Sequence, residues 1–197
     1  MSRNVKKTVS KMIAMIAVLC TTLTGTYTAQ ATTNTDIDWN NKLTQGTDIY
    51  YWVSSGNGYT DSISSAKSKL RYPSGMYNPI VLNSTSVQSQ SKMDIYQYSS
   101  NDGSNAYASV FRKNSSGVYY NSTSQKDSYD WVYGNININN YYMSAYDVNL
   151  RSTVILHEML HVYGCKDIAS TSSIMYYATP YVRSLTTDAN NVLNNKY

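Results

Sequence analysis

Residues 48–53, Asp48-Ile49-Tyr50-Tyr51-Trp52-Val53, form an unbroken β-branched and aromatic stretch that stops at Ser54-Ser55-Gly56-Asn57-Gly58. That pattern predicts a strand closed by a turn. The spacing changes in residues 60–70, where Ile63, Ala66 and Leu70 recur three and four apart. This predicts a helix, with Thr60 or Asp61 as its cap. Residues 79–82, 93–98 and 106–112 read as short strands, and the polar stretches 83–91 and 114–116 as loops. Asn101-Asp102-Gly103-Ser104-Asn105 reads as a hairpin turn between the last two strands. Residues 131–139 alternate near their end, with Ile136 and Ile138 on one face, as a strand buried on one side does. From 147 to 163 the period becomes helical, since Ile155, Met159 and Val162 fall at i, i+4 and i+7. Gly164 is placed to end that helix. Thr186 or Thr187 is placed to cap a last helix running to about Asn195. Strands with one helix, then a long helix, irregular chain and a terminal helix predict an α+β fold.

The first residues carry a different pattern. A basic head ends at Lys11, an apolar run covers residues 12–19, and Ala29-Gln30-Ala31 supplies small residues. The run is shorter than the roughly 20 residues a membrane-spanning helix needs. These features predict a secretory leader over 1–31, cleaved after Ala31, and one secreted, extracellular domain over 32–197. Arg3, Lys6, Lys7 and Lys11 leave with it and no acid does, so the remainder holds twelve basic and twelve acidic residues. A near-neutral domain offers no broad footprint for nucleic acid. No second long apolar segment predicts a membrane partner, and a monomer is expected. Cys20 belongs to the leader, so Cys165 has no intramolecular partner. It is expected as a small buried residue.

The long helix contains His157-Glu158-Met159-Leu160-His161. Residues four apart share a helical face, so two imidazoles there reach one zinc ion, at about 2.0–2.1 Å. Glu158 sits beside that face, able to take a proton from attacking water. The composition sharpens this reading. Both histidines of the chain lie in the motif, and Glu158 is its single glutamate beside eleven aspartates. A catalytic zinc needs a third protein ligand and an open fourth position. Cys165, Asp167 and Asp188 lie downstream. Asp167 is favoured, because Gly164 can turn the chain sharply between His161 and Asp167. Asp188 suits the first turn of the last helix. The oxygens of residues 101–105 do not follow the spacing of a helix–loop–helix calcium site and no Glu closes them, so calcium has no support from spacing.

The run from His157 to Asp167, H-E-x-x-H-x-x-G-x-x-D, resembles the metzincin clan of zinc metallopeptidases, in the snapalysin-like variant with Asp as third ligand. Ser173-Ile174-Met175-Tyr176-Tyr177 is similar to the Met-turn of that clan. The resemblance implies a small twisted mixed sheet, an active-site helix and a C-terminal helix. It implies His157, His161 and Asp167 as zinc ligands, Glu158 as general base, and Met175 as an apolar floor below the ion. Tyr177 then stands where some members place a tyrosine near the metal, as a loose ligand or a donor to the oxyanion. Residues 136–139 are expected as the edge strand that receives substrate. The implied activity is a secreted zinc-dependent endopeptidase acting on protein or peptide. Two alternatives stand beside it, a wall-associated zinc-binding module and a cell-wall peptide hydrolase. Glu158 argues against the module, because a structural zinc site closes its fourth position. No cysteine lies between Ala31 and the first strand to hold the enzyme latent, which leaves Asp36 or Asp38 as candidate plugs.

Overall fold

The computed structural model describes residues 37–197, and the expected leader at 1–31 lies outside the described residues, as does Asp36. The elements in chain order are β1 (Asp48–Val53), α1 (Thr60–Arg71), β2 (Val81–Ser84), β3 (Met93–Tyr98), β4 (Ala106–Lys113), β5 (Tyr119–Asn121), β6 (Tyr133–Asn139), α2 (Asn140–Met143), α3 (Val148–Tyr163) and α4 (Thr187–Lys196). The fold is α+β, with one six-stranded mixed sheet in the order β2-β1-β3-β6-β4-β5. The first four strands of that order are parallel, and β4 and β5 run antiparallel to their neighbours. No helix among the described residues is long and apolar enough to cross a membrane.

One face of the sheet supplies the core. Ile49, Met93, Ile95, Val110, Ile136 and Ile138 are buried there, beneath α1 and α3. Helix α3 is buried all round from Ser152 to Tyr163, as a central helix is, and carries Ser152, Thr153, His157, Glu158 and His161 into the interior with its apolar residues. It passes very close to β6 at Gly134. A Cβ on Gly134 would stand 2.5 Å from Val162 Cγ1, so only glycine admits the helix at this depth. Trp131 fixes the same crossing by donating Nε1–H to the Val162 carbonyl at 2.8 Å. The opposite face carries paired rings, among them Trp52 with Tyr96 and Tyr98 with Tyr107.

Three expectations are corrected. Residues 136–139 belong to β6, which is paired on both sides, by β3 and β4, and is not an edge. The asparagines between its isoleucines gave it the polarity of an edge, but they face outward among tyrosines of neighbouring strands. The edges of the sheet are β2 on one side and, on the other, β5 with the first half of β4, because β5 pairs only with Phe111, Arg112 and Lys113. Residues 101–105 are not a hairpin turn. They connect β3 to β4 across the end of β6, which lies between those two strands. Neither Thr60 nor Asp61 caps α1, whose cap residue is Tyr59 with no side-chain bond; Asn57 Oδ1 accepts the Tyr59 amide just upstream.

Candidate metal centre and cleft

Helix α3 starts on Asp147, whose Oδ1 accepts the Leu150 amide at 2.7 Å. It ends on Gly164 at φ +107°, where the Gly164 and Cys165 amides return to the carbonyls of His161 and Leu160. Those two bonds are the Schellman closure that a glycine in the left-handed region permits. The turn has a chemical result. It swings the Cys165 carbonyl onto His161, whose Nδ1 lies 2.9 Å from that oxygen. His157 is held the same way by the Ile174 carbonyl, 2.8 Å from its Nδ1. A carbonyl only accepts, so both rings carry their proton on Nδ1 and turn an Nε2 lone pair toward the same point.

Asp167 stands at that point. Its Oδ1 lies 3.1 Å from His157 Nε2 and 3.5 Å from His161 Nε2. Two lone pairs and a carboxylate oxygen in mutual contact repel one another unless a cation or protons lie among them. Atoms about 2.0–2.2 Å from one tetrahedral ion are separated by about 3.3–3.6 Å; the His161 contact matches that spacing and the His157 contact is slightly shorter. The ligand atoms of His157, Glu158 and His161 also all lie within 4.8 Å of one another, and this buried group could hold a metal ion. The two sets differ in their third member. Asp167 is the closer to both imidazoles, while Glu158 lines the adjoining cleft.

The charges reflect this packing. Burial pushes the Asp167 carboxyl up, but with no cation among them the contacts with His157 and His161, which then share protons with it, outweigh burial and hold the group well below the usual carboxylate range. Burial presses the His157 pKa down, and the Asp167 carboxylate with the charge of Glu158 more than reverses that, for a net rise. Lys126, which no motif marked, is a buried cation stacked over the Trp39 ring at 5.0 Å. Burial lowers its pKa, against the charges of Glu158 and Asp167.

The residues after Asp167 are stitched to the segment around Met175. The Ile168 amide donates to the Met175 carbonyl at 2.9 Å, and Tyr177 donates back to Ile168 at 3.0 Å. Met175 is fully buried, and its amide is bound by Ser173 Oγ at 3.1 Å. One short turn therefore orients His157 through Ile174 and positions Asp167 through Ile168. Thr186 is the N-cap residue of α4, as expected, but its hydroxyl makes no cap bond; it accepts the Ile174 amide at 3.2 Å, tying the start of α4 to that turn. Asp188 lies in the first turn of α4, and Cys165 is a free, buried thiol. Asp38 is paired with Lys196 at 3.4 Å and is not a plug for the site.

A cleft of about 360 Å³ opens beside Glu158 and His157. Gly103, Ser104, Asn105 and Ala106 form one wall, Tyr177, Ala178, Thr179 and Pro180 the other, and Val154 of α3 lies between. Tyr177 is largely exposed at its lip, against Tyr176. Apart from Tyr177 and the helical motif, spacing in the chain marked none of these positions, because the two walls come from irregular segments more than seventy residues apart. No family model matches the chain, and no curated protein matches it. The metzincin resemblance thus rests on the motifs themselves.

Proposed function

We propose that the chain is a secreted zinc-dependent endopeptidase of metzincin type. The observation that carries this reading is the convergence of His157 Nε2, His161 Nε2 and Asp167 Oδ1, each imidazole locked by a carbonyl, beside a cleft that Glu158 lines. Nitrogen and oxygen donors at tetrahedral spacing suit zinc, with no thiolate in the set. A zinc ion held there supplies a Lewis acid next to Glu158.

The remaining work falls to the residues of the chain. The Ile174 and Cys165 carbonyls keep both imidazoles in one tautomer and one orientation. Glu158 takes a proton from water as it adds to the peptide carbonyl, then passes the proton to the departing amine. Tyr177, at the lip, in this reading donates its hydroxyl proton toward the oxygen that gains charge. A fully closed structural zinc site has no use for a carboxylate facing a cleft, which disfavours the non-catalytic module.

The test pairs zinc content with turnover. Purified wild type should contain one zinc per chain and cleave a quenched peptide. Glu158→Gln should keep the zinc and lose at least about 100-fold in kcat, the scale expected for a general base. A Glu158→Gln protein that cleaves as fast as wild type refutes the mechanism. Casein and peptidoglycan, offered side by side, separate a protease from a hydrolase of wall peptides.

A further inference from the structure

The two walls of the cleft are tied to each other by one residue. Asn105 donates from Nδ2 to Thr179 Oγ1 at 3.1 Å, which joins the two walls directly. Its Oδ1 accepts the Tyr146 hydroxyl at 3.1 Å. Its backbone carbonyl accepts the Asn139 amide at 2.9 Å. Every polar atom that anchors Asn105 is thus bound by a different part of the chain. The wall it belongs to is stiff for a further reason. Asn139, fully buried at the end of β6, donates from Nδ2 to the Ser100 and Ser104 carbonyls and to Asp102 Oδ1, at 2.7, 2.9 and 3.0 Å.

We infer that Asn105, bridged to Thr179, is the specificity-determining residue of the cleft and restricts it to short, uncharged side chains of a peptide substrate. The inference takes the ligand to be a peptide from the proposed function, while the bridge itself is independent of catalysis. Its chemistry follows from the lining. Among the described residues Glu158 is the one carboxylate there, and no lysine or arginine lines the cleft. The apolar positions are small, namely Ala106, Val154, Ala178 and Pro180. A long side chain has to part Asn105 from Thr179 and leave their polar groups unpaired. That costs about tenfold in affinity or more.

Asn105→Asp makes the sharpest test. Both side-chain partners of Asn105 are hydroxyls, which can donate to a carboxylate, so the bridge survives while the cleft wall gains a negative charge. The zinc-loaded protein is titrated calorimetrically with peptide hydroxamates that chelate the metal and differ only in the side chain entering the cleft: Ala, Ser, Leu, Phe or Lys. Wild type should favour Ala and Ser. Asn105→Ala and Thr179→Val should raise Phe and Leu relative to Ala by about tenfold. Asn105→Asp should raise Lys by a similar factor, and Thr179→Ser should restore the wild-type order. A loss of folding alone lowers every member of the series together, without reordering it. The inference is overturned if the order is the same in all variants, if wild type favours Phe, or if the zinc-loaded protein binds none of the series. Turnover of matched peptides separates the two readings. A reordered binding series with no cleavage removes the peptidase reading and leaves the cleft assignment standing.

Discussion

Replacing Asp167 by Asn removes one negative charge and almost no volume, so it isolates the third ligand. The effect is read as metal-linked stability. At free zinc 100-fold above Kd, binding to the folded state alone stabilises by about 2.7 kcal/mol. Loss of an outer partner of a metal ligand weakens affinity about 10–100-fold, so loss of a ligand itself should cost at least about 100-fold. At the same zinc concentration the variant then gains only about 0.4 kcal/mol. For a domain of this size each kcal/mol moves Tm by about 2–4 °C, so zinc should raise wild-type Tm by about 5–11 °C and Asp167→Asn by about 1–2 °C. Differential scanning calorimetry with chelator and then with zinc measures both. The metal-free pair is an essential control, because Asp167 also contacts His157 and His161 without metal, and only the zinc-dependent difference counts. An unchanged zinc-induced rise in Asp167→Asn refutes Asp167 as a ligand. If Glu158→Ala abolishes the rise instead, the metal is held by His157, Glu158 and His161.

Gly134→Ala should destabilise by about 1–3 kcal/mol through overpacking against Val162, and Val162→Ala in the same chain should recover part of that loss in a denaturant double-mutant cycle. Burial pushes the Cys165 thiol up, so it should resist a thiol reagent in the native protein and react on addition of denaturant; fast native labelling would contradict the packing. The Ser104 amide, with Tyr98 and Asn139, holds Asp102 below the usual carboxylate range. A depressed folded pKa gives stability that is present above the unfolded value, about 3.9, and is lost as pH falls through the folded one. Asp102→Asn should therefore flatten the stability profile below about pH 4, and a profile that keeps its wild-type slope there would exclude the group.

What the chain reveals of itself depends on distance along it. Helix α3 was legible to the residue at its end, because Gly164 and the i, i+4, i+7 apolar stripe act within a few residues. His157, Glu158 and His161 were legible because one helical turn brings them together. Asp167 needed the turn glycine, and that too is local. Strand β2 was placed two residues early, since Ile80 is buried yet gives its amide to Asn78 Oδ1 and not to a ladder. Strand β5 was missed, because Tyr119-Tyr120-Asn121 are all exposed and are a strand only by pairing with β4. The interior position of β6, the cross-cleft partners Asn105 and Thr179, and the buried cation Lys126 all depend on which segments meet in space. No periodicity encodes that.

The turn after α3 is clasped from far away. The Trp39 amide binds the Gly164 carbonyl at 2.9 Å, and the Lys166 amide binds the Ile37 carbonyl at 2.6 Å. Lys196 reaches the Trp39 and Asn41 carbonyls, and the Tyr197 hydroxyl joins the Leu43 amide to the Tyr163 carbonyl. The loop that presents Asp167 is thereby knotted to segments more than 120 residues before it and about 30 after. A fluctuation that freed it would have to undo contacts spread over most of the domain. The groups that would grip an ion are therefore held in place by the fold of the described domain as a whole, and not by their own helix alone.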